Sequence, residues 1–276
     1  MAVRPGPRLK LRLKLYAGCE AALAATDPHE KQSIVNALVD AWRANEIDID
    51  VDRPVLPIAS PGFPAALKRV SPLLVPKRGT ATPEVRAALV HAIAHIEYNA
   101  IHLALDACYR FRGMPTNYYG DWLQVAAEEA HHFSLLNTYL VKRGYQYGSF
   151  VAHDGLWEMA EHTAADVLAR MALVPRVMEA RGLDVTPGIS RRFAIAHDDE
   201  AVAILELILR DEIGHVAVGN RWYEYLCAER VLDPRTTFEE LERKHRAPRP
   251  SLPLNRAARL AAGFHESELD RMEKRP

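Results

Sequence analysis

Two short segments constrain this chain more than any other feature: Glu128-Glu129-Ala130-His131-His132 and Asp211-Glu212-Ile213-Gly214-His215, each an acid, a glutamate, two spacers and a histidine inside a strongly helical stretch. On a helix, a glutamate and a histidine three positions apart project from one face, so each pair can offer an oxygen and a nitrogen to a single cation. Two such pairs act together only if their helices pack face to face with the donors turned inward. The repeat therefore predicts a helical bundle around a buried polar centre.

The rest of the chain agrees with an all-α class. At 276 residues it can bury one large core with decorations. Residues 8–44 read as two modest helices, the second opening at Asp27-Pro28. Residues 47–83 carry Pro54, Pro57, Pro61, Pro64, Pro72 and Pro76, a spacing that forbids a long helix and predicts an extended arm over the surface. Four long alanine- and leucine-rich helices follow: Pro83 to Arg112, Gly120 to about Gly144, Asp154 to Arg181-Gly182, and Asp198-Asp199 to Glu229. Between the third and fourth, residues 183–197 leave room for an extra helical turn or two. Beyond Asp233 the tail is charged and proline-punctuated, with helical pieces at 238–245 and 255–264. No segment has a convincing strand period. The implied division is 1–82, 83–229 and 230–276.

Composition removes several function classes. Lysine plus arginine total 35 against 36 acids, a net charge of −1, so no global basic field draws the chain to nucleic acid or an anionic membrane. Cys19, Cys108 and Cys227 are widely spaced and form no Cys-x-x-Cys pattern, which argues against a disulfide framework, a zinc ribbon or an iron–sulfur cluster and fits a reducing cytoplasm. The basic opening up to Gly18 lacks a continuous apolar core and reads as a surface helix rather than a secretory signal. No apolar run reaches the ~18 residues a membrane span needs.

Ligands that converge in a bundle must lie on the apolar stripe of each helix. On the second long helix, Trp122, Ala126, Glu129, His132, Leu136 and Leu140 share a stripe, whereas the register containing Gln124, Glu128, His131 and Lys142 turns outward. On the fourth, Glu212 and His215 interrupt a stripe of Ala201, Leu205, Ile208, Gly219, Trp222 and Leu226. On the first, Glu97 is the single acid among Val90, Ala94, Ile101, Ala104 and Cys108. His91, His95 and His102 lie on another flank and read as hydrogen-bonded or exposed. The third helix carries two acids on one stripe, Glu161 and Glu179, and periodicity does not choose between them. Internal spacing favours Glu179: Glu97 to Glu129 is 32 residues and Glu179 to Glu212 is 33, whereas Glu161 to Glu212 is 51. Pro175 should kink or widen the helix four residues before Glu179.

The set Glu97, Glu129-x-x-His132, Glu179 and Glu212-x-x-His215 resembles the ferritin-like di-iron carboxylate superfamily. His95-Ile96-Glu97, Glu128-Glu129-Ala130-His131-His132-Phe133, Val177-Met178-Glu179-Ala180-Arg181-Gly182-Leu183-Asp184 and Arg210-Asp211-Glu212-Ile213-Gly214-His215 look like a bacterial ferritin-like family of unknown function. Glu179-Ala180-Arg181 is also similar to the third-helix ligand segment of the tRNA-modifying hydroxylases. The resemblance covers about residues 50–230. It implies a ferritin-like four-helix bundle with N-terminal helices, a proline-rich arm and a C-terminal helical tail. It further implies Glu97, Glu129, Glu179 and Glu212 as metal-ligating and catalytic carboxylates, with His132 and His215 completing the metal set. Asp211 would hold the free ring nitrogen of His132 or His215.

Four carboxylates and two imidazoles suit two iron ions, or manganese or a mixed pair, and nominally balance two divalent charges. The expectation is an oxygen-activating monooxygenase or oxidase acting on a small-molecule substrate, with dioxygen as co-substrate. Ala94, Ala126 and Gly219 would line a pocket beside the metals. An external electron donor is required, because the chain shows neither a glycine-rich dinucleotide loop nor an iron–sulfur motif. The alternatives are a metal-binding protein without redox turnover, an iron-handling ferroxidase, and, ranked lower, an RNA-nucleoside hydroxylase. Basic residues at 8–14, Arg191-Arg192 and 243–249 would be the phosphate contacts for that last reading. A homodimer is compatible with the chain, and membrane association is not expected.

Overall fold

The computed structural model describes residues 12–76 and 78–274, so residues 8–11 of the basic opening lie outside the described residues. Local chemistry sets the helix starts. Asp27 accepts hydrogen bonds from the backbone N–H of His29 (2.8 Å) and Glu30 (2.9 Å), with Pro28 at the first position. This opens α2 (Pro28–Arg43), which follows α1 (Leu15–Ala24). Thr82 and Pro83 open α3 (Pro83–Arg110) in the same manner. Asp198 caps α8 (Asp199–Glu229), whose first turn adds Asp199 and Glu200 at the positive end of the helix dipole.

The molecule is an all-α bundle. Its long members are α3, α4 (Thr116–Val141), the broken helix formed by α6 (Val167–Leu173) and α7 (Ala180–Ile195), and α8. Helix α3 packs along α4, α7 along α8, and α4 meets α8 across the centre. Helices α1 and α2 extend the α3–α4 side, and one continuous apolar core runs from Leu15 to Met272. The proline-rich arm crosses this surface without regular structure. It is held by Gly62 N–H donating to Leu23 O (2.7 Å), Leu56 N–H donating to Tyr109 Oη (2.8 Å) and Phe63 packed edge-on against His102. Among the described residues, no helix is long and apolar enough to cross a membrane.

Several expectations need correction. The first helix begins only at Leu15, because Leu13–Lys14 (β1) pairs in parallel with Ile47–Asp48 (β2), a two-residue ladder too short to show a period. Helix α4 starts at Thr116 rather than Gly120. Gly120 is an interior residue where a Cβ would stand 2.6 Å from Trp42 Nε1, so glycine there serves helix approach rather than a start. The third helix is not continuous from Asp154. A separate α5 (Gly155–His162) ends at Thr163, and Asp166 caps the restart by accepting from Leu168 N–H at 3.0 Å. The buried Arg170 locks this joint, reaching Ala160 O (2.5 Å), Thr163 Oγ1 (2.8 Å) and Asp106 Oδ2 (2.6 Å).

The widening expected at Pro175 is present as a π turn over Val174–Glu179. Helix α7 then runs on through Gly182, Pro187 and Gly188, where the sequence suggested an interruption. Each glycine costs a helix about 1 kcal/mol and each interior proline about 3 kcal/mol relative to alanine, so tertiary contacts must hold this segment. One contact is visible at Gly219 of α8, where a Cβ would lie 2.2 Å from Pro175 Cβ. Gly219, expected to line an open pocket, is instead covered by the proline ring. The tail contains α9 (Pro234–Lys244), α10 (Arg256–Ala261) and α11 (Glu266–Lys274), the last of which the sequence reading did not anticipate.

Substituting Gly219→Ala should force α8 and the π turn apart, lowering stability by about 1–3 kcal/mol. Thermal unfolding checks this, and an unchanged or raised midpoint would contradict the close contact.

Candidate metal centre

The bundle brings the sequence-selected acids and histidines together in its interior. Helix α3 supplies Glu97, α4 supplies Glu129 and His132, the end of the π turn supplies Glu179, and α8 supplies Glu212 and His215. Glu97, Glu129 and His132 are at most 3 % exposed, and Glu212 is 9 % exposed. One potential ligand atom from each of Glu97, Glu129, His132 and Glu212 lies within 4.8 Å of the others. The two imidazoles sit side by side with ring centroids 5.7 Å apart.

Glu129 stands between them. Its Oε2 is 3.5 Å from His132 Nδ1, and its Oε1 is 2.9 Å from His215 Nδ1. Glu97 Oε2 lies 3.1 Å from His132 Nδ1, and Glu212 Oε1 lies 3.6 Å from His215 Nδ1. Each Nδ1 thus faces its own helix's glutamate and a carboxylate from another helix. Glu179 is half-buried and within electrostatic reach of Glu212, Glu129, His215 and Glu97, whereas Glu161 is exposed on α5. Of the two acids, Glu179 is the one whose electrostatic surroundings include the cluster, although it is not among the four residues whose ligand atoms gather within 4.8 Å.

The outer ring nitrogens are held crosswise. His132 Nε2 of α4 is 3.3 Å from Asp211 Oδ2 of α8, and His215 Nε2 of α8 is 2.8 Å from Glu128 Oε2 of α4. The Asp211 contact falls on His132, one of the two histidines proposed for it. Glu128 requires a correction. Its carboxylate is partly exposed, as the helix register suggested, yet one oxygen turns inward to His215 while Gln124 Nε2 donates to the other at 2.6 Å. Asp211 has a matching outer partner, Arg210 Nε at 2.9 Å. The side chain is long enough to span from a flanking register to the neighbouring helix, which a stripe analysis based on Cβ direction overlooks. The signal for it is the likeness of the two motifs, in which an acid precedes each buried glutamate and Glu128 stands where Asp211 does.

The flanking histidines behave differently. His95 Nδ1 meets Tyr147 Oη at 2.7 Å and its Nε2 faces His153 O at 3.0 Å, so both nitrogens are engaged away from the centre. His91 is buried and hydrogen-bonded, its Nε2 accepting from Gly148 N–H at 2.9 Å, and His102 is buried beneath Phe63 of the arm rather than exposed. Trp122 and Trp222 are core residues.

Buried charge dominates the electrostatics. Burial, followed by the neighbouring Glu129 carboxylate, pushes Glu97 above the usual carboxylate range, and burial with Glu212 and Glu129 raises Glu179 well above it. Burial alone would lower His132, but Glu129 and Glu97 outweigh it and hold the imidazole up to about 11; His215 is raised in the same sense by Glu129 and Glu128. Without another cation, protons neutralise the cluster. This compensation is incomplete: both oxygens of Glu129, one each of Glu179 and Glu212, and His215 Nδ1 are enclosed without a directed hydrogen bond. Such orphaned acceptors are costly in an apolar interior, and a divalent cation answers them directly. The oxygen-rich, thiolate-free donor set could hold a metal ion.

Carboxylates must be ionised and Nδ1 free of its proton before they ligate. Metal uptake by metal-free protein at pH 7 in light buffer should therefore release protons, and affinity should weaken as pH falls. A pH indicator read during titration checks this; uptake without acidification would contradict the protonation pattern.

A family model described as "Protein of unknown function (DUF455)" matches residues 24–270, which includes the arm, the bundle and most of the C-terminal extension. The chain is 48% identical over 263 residues, 91% of each chain, to an uncharacterized protein of Haemophilus influenzae. No solved structure matches it. By coverage and by identity, the chain belongs to the DUF455 family.

Proposed function

We propose that this protein is a ferritin-like, two-metal oxidoreductase, with an iron or manganese pair, that uses dioxygen to oxidise a small organic substrate. The observation that carries the reading is the group of enclosed, unpartnered carboxylate oxygens on Glu129, Glu179 and Glu212 beside two histidines whose outer nitrogens are already held. Held by these residues, a reduced metal pair would supply electrons to dioxygen.

The protein's residues define the environment. Glu97, Glu129 and Glu179 with Glu212 provide the charge that balances two divalent ions, so the filled centre can stay buried. Glu129, whose two oxygens face His132 Nδ1 and His215 Nδ1, would be a shared ligand of the bound metal. Asp211 and Glu128 accept from the Nε2–H groups of His132 and His215, which leaves Nδ1 as the ligating atom of each ring and raises its basicity. Ala94 and Ala126, one helical turn before Glu97 and Glu129, are fully buried and make the surroundings of the centre apolar. An external electron donor and a small-molecule substrate complete the proposal, with a cytoplasmic setting.

Protein purified without added metal should carry about two iron or manganese ions per chain by mass spectrometry. Glu129→Ala should lose both, Glu179→Ala should lose one, and Glu161→Ala should keep both. The reduced, loaded protein should consume dioxygen. Full stoichiometry in Glu129→Ala would refute the site, and absence of oxygen uptake by the loaded protein would refute the redox function.

A further inference from the structure

Glu179 differs from the other acids of the centre in how it is held. Glu97 lies 3.1 Å from His132 Nδ1, Glu129 and Glu212 lie 2.9 and 3.6 Å from His215 Nδ1, and Glu128 and Asp211 each grip an imidazole on one side and a surface partner on the other. Among the described residues no side-chain hydrogen bond or ion pair joins Glu179 to a neighbour, and its Oε2 is enclosed without a partner. Its position is therefore set by backbone alone. That backbone is a π turn leading into a helix interrupted by Pro187 and two glycines, the least self-sufficient helical segment of the bundle.

The C-terminal extension supplies what this segment lacks. Three residues before Glu179, the buried Arg176 donates to Glu268 Oε1 at 2.5 Å, and its guanidinium lies 4.5 Å from the ring centres of Tyr223 and Phe238. On the other side, Arg259 of α10 grips Asp184 with two bonds, Nε to Oδ1 at 3.0 Å and Nη2 to Oδ2 at 2.7 Å. It also donates to Ala180 O at 3.3 Å. Pro187 has no N–H to offer Leu183 O, four residues earlier, and Asn255 Nδ2 donates to that carbonyl at 3.1 Å. Asn255 N–H adds a bond to Asp184 Oδ1 at 2.9 Å. These ties bracket Glu179 from three residues before it to five after.

We infer that the C-terminal extension is a positioning element for the metal centre, with Arg259, Asn255 and Glu268 fixing the segment that aims Glu179 inward. The inference rests on the two-metal reading and extends it to residues that touch neither the cluster nor any ligand. Arg259 and Asp184 are at most 2 % exposed at their side chains, and a bidentate arginine–carboxylate pair fixes orientation as well as distance. The extension also bonds to α8, where Asn220 Nδ2 donates to Ala262 O at 2.5 Å, but that bond falls five residues beyond His215, whereas the Arg259 bond to Ala180 O adjoins Glu179 itself.

The test titrates full-length, metal-free protein with cobalt(II), followed by its visible absorption and by stoichiometry. Wild type should take up two equivalents. Arg259→Met should keep one at wild-type affinity and weaken the other about tenfold or more. Arg259→Lys should recover part of that loss. Glu179→Gln should show the same single-site defect, and adding Arg259→Met to it should change nothing further, because the two act on one ligand. Asn255→Ala, which removes the bond to Leu183 O, provides a milder version should Arg259→Met fail to fold. Unchanged binding of both ions in Arg259→Met and Asn255→Ala, equal weakening of both sites, or a defect additive with Glu179→Gln would overturn the positioning role. Fewer than two cobalt ions on the wild-type protein would instead remove the two-metal reading, and this inference with it.

Discussion

The cost of hiding carboxylates in an apolar interior governs this structure. Three buried glutamates, two buried histidines and the half-buried Glu179 sit on helices whose remaining inward residues are mostly alanine, leucine, isoleucine and aromatic side chains. An isolated buried charge is strongly destabilising, and a buried ion pair recovers that loss only with good geometry and satisfied hydrogen bonds. Here the pairing is partial, since Glu129 approaches both imidazoles without receiving a directed hydrogen bond. The cluster is compatible with a partner that carries more charge than a proton.

Crosswise bracing follows from the same requirement. Asp211 on α8 holds the histidine of α4, and Glu128 on α4 holds the histidine of α8. Each bond therefore spans the helix interface and ties ring orientation to helix packing. Gln124 and Arg210 continue the pattern outward, so the two partly exposed acids are anchored on both sides. Arg43 of α2 donates to Gln124 at 2.7 Å, linking even the N-terminal helices to this shell.

Much of the centre was legible because helical period and chemistry coincide. Glutamates on apolar stripes stand out when everything else on the stripe is hydrocarbon, and matched intervals between helix pairs separated Glu179 from Glu161. Glu128 was not legible from Cβ direction, since a flexible three-carbon reach let it serve the opposite helix from an outward register. Helix breaks at 163–166 depend on Arg170 finding Asp106, 64 residues away in sequence, and no local pattern announces that pairing. The extension's grip on α7 is equally non-local. Arg259 and Asn255 look like ordinary residues of a charged tail until the fold lays them against Asp184 and the carbonyl that Pro187 leaves unpaired.

Anomalous diffraction at the iron absorption edge, on crystals of iron-loaded protein, tests the central claim most directly. The account predicts two peaks flanking the Glu129 carboxylate, one beside His132 and the other beside His215, with Glu179 turned toward them. No peak between these side chains, or iron bound only at surface acids with Glu97, Glu129 and Glu212 left as a protonated cluster, would contradict it.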